Sequence, residues 1–213
     1  MILQVSNVLS DFSMHEEIEL IPPDYEDRTV KREFNIVIQN VVALASLNEK
    51  IDRRQLQPVE YEPAVFPGSV YRSRKPKVVV LLFATGKLMV VGAKSERQVK
   101  RAVSKIADEL GAKGITVLGK SEVAIRNVVA SAELGYTMDL EDVANRLRGT
   151  IYEPDQFPGL ICRLKNSKIV FLLFASGRLV CTGASCEIDV QKAIVTLRET
   201  LVTNGLIPCH ASQ

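Results

Sequence analysis

The stretch 61–95, YEPAVFPGSVYRSRKPKVVVLLFATGKLMVVGAKS, recurs at 152–186 as YEPDQFPGLICRLKNSKIVFLLFASGRLVCTGASC. At an offset of 91 positions, 17 of the 35 pairs are identical. Composition alone does not produce so dense a self-match, so one structural unit occurs twice. Two such units can pack about a pseudo-two-fold axis, as two subunits of a dimer do.

Around that core each unit carries the same accessories. Residues 34–45, FNIVIQNVVALA, match 121–132, SEVAIRNVVASA. Both read as β-branched strands, and each places an Asn, Asn40 or Asn127, where a strand disfavours one. Repetition of the Asn points to a polar task. In the second unit a short helix is expected over Asp139–Arg148, capped by Asp139 with Asp142 at the capping-box position. Its first-unit equivalent, IDRRQLQP, is four residues shorter overall and is expected to be irregular. Each unit then has a strand, a Pro-Gly segment and a hairpin. Lys77–Phe83 turns through Ala84-Thr85-Gly86 into Lys87–Gly92, and Lys168–Phe174 turns through Ala175-Ser176-Gly177 into Arg178–Gly183. An amphipathic helix closes each unit, over Ser95–Leu110 and Glu187–Leu201.

The strands KVVVLLF and KIVFLLF are apolar at both parities, so both faces of the sheet must be covered. One long and one short helix per unit cover only one face of a five-stranded sheet. Val80 and Leu82 are therefore assigned to the helices. Leu81, Phe83, Met89 and Val91 face away, as do Leu172, Phe174, Val180 and Thr182. Asn40 and Val42, with Asn127 and Val129, flank this outward set. A broad apolar face with a polar pair near its middle, left without helices, awaits a ligand.

Charge narrows the ligand. Residues 1–27 hold seven acids and no Lys or Arg, which leaves 27 basic against 18 acidic residues, net +9, in the remainder. That remainder can attract a polyanion. Apolar wedges bend a duplex from its minor groove, Asn amides can donate to the acceptors shared by A·T and T·A pairs, and basic rims hold phosphates. A protein-only interaction module using the same face is the alternative from a different class. No Walker, Rossmann or HExxH pattern occurs, and His15 and His210 lie near the two ends of the sequence, so no enzyme is expected. The cysteines, Cys162, Cys181, Cys186 and Cys209, lack metal or C-x-x-C spacing and read as reduced thiols. No apolar run approaches a membrane span, and the first residues lack the basic start of a signal peptide. The acid run Glu16–Asp27, with Pro22 and Pro23, is expected to be extended or mobile.

The paired YEPxxFPGxxxR and LLFA(T/S)G(K/R) motifs resemble the TATA-box-binding protein family, and look closest to its archaeal members, over roughly residues 34–207. The resemblance implies an α+β saddle in which two pseudo-symmetric repeats form one curved antiparallel sheet with helices on the convex side. It divides the chain into an acidic extension (1–33), repeat 1 (34–120), repeat 2 (121–207) and a tail (208–213). It implies a general transcription initiation factor that binds double-stranded A·T-rich promoter DNA in the minor groove and recruits the B-type initiation factor and, through it, RNA polymerase. A specialised paralogue with weaker TATA preference is the alternative within the family. Neither a cofactor nor a metal is implied. The location would be chromosome-associated, in the cytoplasm of an archaeon or the nucleus of a eukaryote. The family's intercalating phenylalanines fall on Phe66, Phe83, Phe157 and Phe174. Its groove contacts fall on Asn40, Val42, Leu81, Met89, Val91, Asn127, Val129, Leu172, Val180 and Thr182. Phosphate contacts fall on Arg72, Lys87, Arg163 and Arg178, and partner-factor contacts on Glu153 and Asp155. The family usually has Thr at both positions matched by Val91 and Thr182.

Overall fold

The computed structural model describes residues 27–47, 50–51, 68–114, 122–165 and 167–208. The acidic run before Asp27, the first-unit segment IDRRQLQP beyond Ile51, and Phe66 lie outside the described residues. The first described element is helix α1 (Asp27–Glu33), a segment for which the sequence predicts no helix. Strand β1 (Val37–Ser46) follows, then β2 (Ser69–Arg74), β3 (Lys77–Leu82), β4 (Lys87–Ala93) and helix α2 (Glu96–Gly111). The second unit repeats this order as β5 (Val123–Glu133), helix α3 (Leu140–Arg146), β6 (Thr150–Ile151), β7 (Leu160–Arg163), β8 (Val170–Leu173), β9 (Arg178–Ala184) and helix α4 (Glu187–Thr203).

Among the described residues, nine strands join one curved antiparallel sheet in the order β2-β3-β4-β1-β5-β9-β8-β7-β6. Apart from β6 the order is a palindrome. The two units meet where β1 pairs with β5, with Val41 opposite Val128, Asn40 opposite Val129 and Val42 opposite Asn127. Matching positions in this part of the units lie 87 residues apart, so Val41 and Val128 are each other's equivalents. The pseudo-two-fold axis therefore passes between them, and the two asparagines flank it symmetrically. Because the second unit enters through a strand that pairs with the first, no sheet edge is exposed at the junction.

Bulges, which insert one residue and reverse which side chains face the core, shape this junction. The β1–β5 register slips at Gln39 and again at Arg126. Ile36 and Ile38 enter the core before the first bulge, and Val41, Ala43 and Ala45 enter it afterwards. The same switch separates Ile125 from Val128, Ala130 and Ala132. A strand reading of FNIVIQNVVALA without a bulge would put Asn40 on the core face; the bulge turns it to the other.

The main core lies between the sheet and the helices. Val80, Leu82, Leu88 and Val90 meet Val99, Val103 and Ile106 of α2, and Phe171, Leu173, Leu179 and Cys181 meet Val190, Ile194 and Leu197 of α4. The parity predicted for Val80 and Leu82 holds. Ser95 caps α2, its Oγ accepting from the N–H of Gln98 at 3.3 Å. Its equivalent Cys186 makes no such bond, because a thiol is a weak acceptor. Asp139 caps α3, accepting from the N–H groups of Glu141 and Asp142. The Asp142 side chain does not close a capping box; its Oδ1 accepts from Arg146 Nε at 2.8 Å. The helix is also shorter than Asp139–Arg148, since Leu147 is already extended.

Candidate nucleic-acid interface

The hairpin turns place the residues predicted at the ends of the ligand face. Gly86 and Gly177 take φ near +80°, at 78° and 81°, which glycine alone adopts without strain. Their amides donate to the carbonyls of Phe83 and Phe174, each at 2.9 Å. The chain after the central strand then clasps each tip. Leu47 and Ile51 donate to Gly86 and Ala84, while Leu134 and Met138 donate to Gly177 and Ala175. Phe83 and Phe174 thus leave the sheet at rigid, equivalent points, half-buried on the side away from the helices.

At the far end of repeat 2, Phe157 follows a turn in which its N–H donates to the Glu153 carbonyl at 2.9 Å. Its ring meets that of Phe174 edge to face, with centroids 6.0 Å apart. Gly159 makes this possible, since a Cβ there would lie 2.6 Å from the Phe157 ring and 3.1 Å from that of Phe174. Beneath the two rings, Ile161, Val170 and Leu172 form a second buried cluster with Ile151 and Val180 at its margin. It is separate from the main core because the sheet lies between them. Leu172, predicted to face outward, does so by parity but is 4% exposed; its own neighbours cover it. The matching first-repeat residues Val70, Val79, Leu81 and Met89 are only half-buried, as are Val42 and Val91.

The central asparagines have a structural task the sequence did not specify. The N–H of Gly92 donates to Asn40 Oδ1 at 2.8 Å, and the N–H of Gly183 donates to Asn127 Oδ1 at 2.8 Å. Both glycines sit at bulges with φ of 94° and 92°, where one residue of β1 or β5, Val42 or Val129, opposes two of β4 or β9. The bulge frees an amide from the ladder, and the Asn oxygen satisfies it. The strands therefore continue through the glycines at which the sequence reading ended them. A Gly-Ala pair closing the hairpin of each unit, Gly92-Ala93 and Gly183-Ala184, was the available signal. Asn127 Nδ2 also reaches Thr182 Oγ1 at 3.3 Å; Val91 offers Asn40 no equivalent.

Of the basic positions predicted to hold phosphate, Arg72, Lys87 and Arg178 are exposed and Arg163 is half-buried. Arg178 is paired across the strands with Glu133, Nε to Oε1 at 3.2 Å. Glu133 was not singled out from the sequence, although the repeat offset sets it against Ser46, which stands opposite Lys87. Glu153 and Asp155 are exposed beside Phe157. Among the described residues no group of His, Cys, Asp and Glu could hold a metal ion.

Comparison with known proteins agrees with this geometry. Residues 35–112 and 122–203 match the family described as transcription factor TFIID (or TATA-binding protein, TBP). The chain is 45% identical over 177 residues to the TATA-box-binding protein of Pyrodictium occultum, covering 81% of this chain and 89% of that one. It is 41% identical over 182 residues to the TATA-box-binding protein of Archaeoglobus fulgidus, covering 83% and 100%. The solved structure of Methanococcus jannaschii TBP superposes with a TM-score of 0.74 at 42% identity, over 79% of this chain and 98% of that chain. With two copies of the unit matched in order, a palindromic sheet and helices on one face, the chain belongs to the TATA-binding protein family, as an archaeal-type member.

Proposed function

We propose that this chain is a general transcription initiation factor whose helix-free face binds the minor groove of A·T-rich promoter DNA. The observation that carries the reading is that face itself. It is apolar from Leu81 and Met89 on one side to Leu172 and Val180 on the other, and the Asn40–Asn127 pair lies at its centre. An apolar sheet surface suits sugars and groove edges, which present little charge. Phe157 and Phe174, and in repeat 1 Phe83 together with Phe66, the sequence counterpart of Phe157, enter base steps and unstack them, and the duplex bends away from the sheet. Val42, Val91, Val129 and Thr182 line the groove beside the asparagines. Arg72, Lys87, Arg163 and Arg178 hold the strands by their phosphates, which sets affinity but not sequence.

The order of events follows from these parts. Charge brings the duplex to the rim, groove contacts select sequences rich in A·T, and wedge entry exchanges stacking for apolar contact. Glu153 and Asp155, exposed next to the repeat 2 wedge, present an acidic surface for the B-type initiation factor, which in turn positions RNA polymerase. Their first-repeat counterparts are Glu62 and Ala64. The two ends thus differ in charge, and assembly can proceed from one end only.

The test is a titration of a short A·T-rich duplex, with a G·C-substituted control, at several salt concentrations and with the bend read by energy transfer between end labels. Tighter binding and a bend on the A·T duplex are expected. In Phe157→Ala and Phe174→Ala the bend should relax more than affinity falls, because unstacking costs a few kcal/mol per step and the wedge sustains it. A full bend in both variants would remove the wedge assignment, and equal affinity for the two duplexes would remove the minor-groove reading.

A further inference from the structure

Asn40 and Asn127 serve the backbone identically but have unequal neighbours, and the inference drawn from this rests on the minor-groove reading above. A backbone N–H can only donate. The bonds from Gly92 and Gly183 therefore commit each Oδ1 to its bulge and leave Nδ2 as the group available to a ligand. Beside Asn127, Thr182 Oγ1 lies 3.3 Å from Nδ2 and 3.5 Å from Oδ1. A hydroxyl has one proton and two acceptor lone pairs. It can accept from Nδ2 and turn its proton to the ligand, or give its proton to Oδ1 and turn a lone pair outward. Val91, at the matching place beside Asn40, can do neither.

The minor-groove edges of A·T and T·A carry acceptors only, whereas a G·C pair adds the guanine 2-amino donor. We propose that Thr182 lets repeat 2 accept a G·C pair at the base step it faces, while the Asn40–Val91 pair makes repeat 1 exclude one. The chain then binds an A·T-rich duplex carrying one such pair in a single orientation, with the G·C under repeat 2. Under repeat 2 the amino group donates to the Thr182 oxygen. Under repeat 1 it meets an amide donor and two methyl groups and loses its water without replacement. Thr182 and Val91 are thus residues that set specificity, and orientation follows from their difference.

The experiment uses a palindromic A·T duplex with a donor dye at one end. The acceptor is carried by Asn145→Cys, on the exposed face of α3 in repeat 2, in a Cys186→Ser, Cys209→Ser background. Cys162 and Cys181 are buried and stay unlabelled. The palindrome should give two equally populated transfer efficiencies. One G·C pair beside the centre should favour one of them by about fivefold or more, the penalty of one unsatisfied donor. Val91→Thr should restore equal populations. Thr182→Val should also restore them, and weaken binding to the substituted duplex, with the fold of both variants checked by circular dichroism. Equal populations on the substituted duplex, or a bias that survives Val91→Thr, overturns the assignment. Failure to bind the all-A·T palindrome overturns the minor-groove reading instead.

Discussion

In repeat 2, Ile161, Val170 and Leu172 are sealed beneath Phe157 and Phe174, whereas the matching Val70, Val79 and Leu81 of repeat 1 are half-exposed. The same contrast runs through the polar groups. Asn127 is held by Gly183 and Thr182, and Asn40, among the described residues, by Gly92. Arg178 is paired with Glu133, while Lys87 stands opposite Ser46. Duplication thus preserved the strand order and the bulges, which involve backbone, and let the side chains on the ligand face diverge. Repeat 2 is the pre-packed half. Repeat 1 holds more apolar surface in water, so it gains more from burial when a ligand covers it, at about 25 cal/mol per Å².

The largest effect expected from this contrast lies in the two bulge glycines. Both have φ near +90°, so a Cβ at either costs about 1–2 kcal/mol of backbone strain. At Gly92 the added carbon meets nothing closer than Val78 Cα at 3.8 Å, but at Gly183 it collides with the Lys168 carbonyl. Gly92→Ala should therefore lower stability by about 1–2 kcal/mol, and Gly183→Ala by about 3 kcal/mol or more, since backbone cannot step aside. For a chain of this size the second should lower Tm by roughly 10 °C. Thermal unfolding followed by circular dichroism distinguishes the two. Equal losses would mean that the second bulge is no tighter than the first.

A smaller difference is expected at the asparagines. Asn127→Ala leaves the half-buried Gly183 amide without its acceptor and should cost about 1–2 kcal/mol in urea unfolding. Asn40→Ala exposes the Gly92 amide at a site already open to water, so its cost should be under about 1 kcal/mol. If Asn40→Ala proves as destabilising as Asn127→Ala, the two halves are closer in rigidity than their contacts imply.

These asparagines also show where the sequence was readable and where it was not. The repeat, the hairpins, the long helices and the outward parity of Leu81, Met89 and Val180 follow from pattern, because period and turn chemistry are local. The bulges at Gln39 and Arg126 are not local. Each depends on which residue of a strand more than 80 positions away is opposite. A strand read without its bulges gives the Asn no backbone partner, and its bond to a glycine amide 52 or 56 residues on stays hidden. The Phe157–Phe174 contact and the cluster beneath it escaped for the same reason, since parity gives a direction but not a neighbour. Helix α1, DRTVKRE, follows a run of acids and prolines and has little apolar signal beyond Val30. It is held by packing on α4, remote in sequence, and its Lys31 pairs with Glu187 at the surface, where the ion pair adds little.

Alkaline pH should distinguish the halves in a third way. Burial pushes the Cys162 and Cys181 thiols up to about 12 from an ordinary 9.0. Burial favours the neutral thiol, so its contribution to stability is complete below pH 9 and is lost as pH rises toward 12. Each thiol can remove up to about 1.4 kcal/mol per pH unit in that window. At the position matching Cys162, repeat 1 has Tyr71. Burial raises its phenol to about 12 from 10.0, and its hydrogen bond to Glu109 adds to the shift. Its loss therefore begins a unit higher. Urea unfolding between about pH 9 and pH 10 should show stability falling in the native chain and nearly level in Cys162→Val, Cys181→Val. A fall of the same steepness in the double variant would assign the loss to other groups.

The smallest expected effect concerns the rims. On the proposed function, Lys87 and Arg178 each neutralise a phosphate, and losing one contact lowers the salt slope of log K by about 1. The two are not equally available. Arg178 is bound to Glu133 before DNA arrives, and a phosphate must compete with that carboxylate or accept its negative charge nearby. The pair is exposed, so it contributes little to stability, yet a carboxylate this close to a phosphate path opposes binding over a Debye length of about 10 Å at 0.1 M salt. Lys87→Ala should therefore lower the slope by about 1, and Arg178→Ala by clearly less. Replacing Glu133 by Gln keeps the size and hydrogen bonding of the side chain but removes its charge. Glu133→Gln should raise affinity equally for A·T and G·C duplexes, since phosphate contacts read no sequence. In that background Arg178→Ala should lower the slope by the full amount seen for Lys87→Ala. Titrations of the four variants at several salt concentrations decide the matter. Equal slopes for Lys87→Ala and Arg178→Ala with Glu133 present would show that the ion pair opens on binding without consequence, and the rims would then be electrostatically alike.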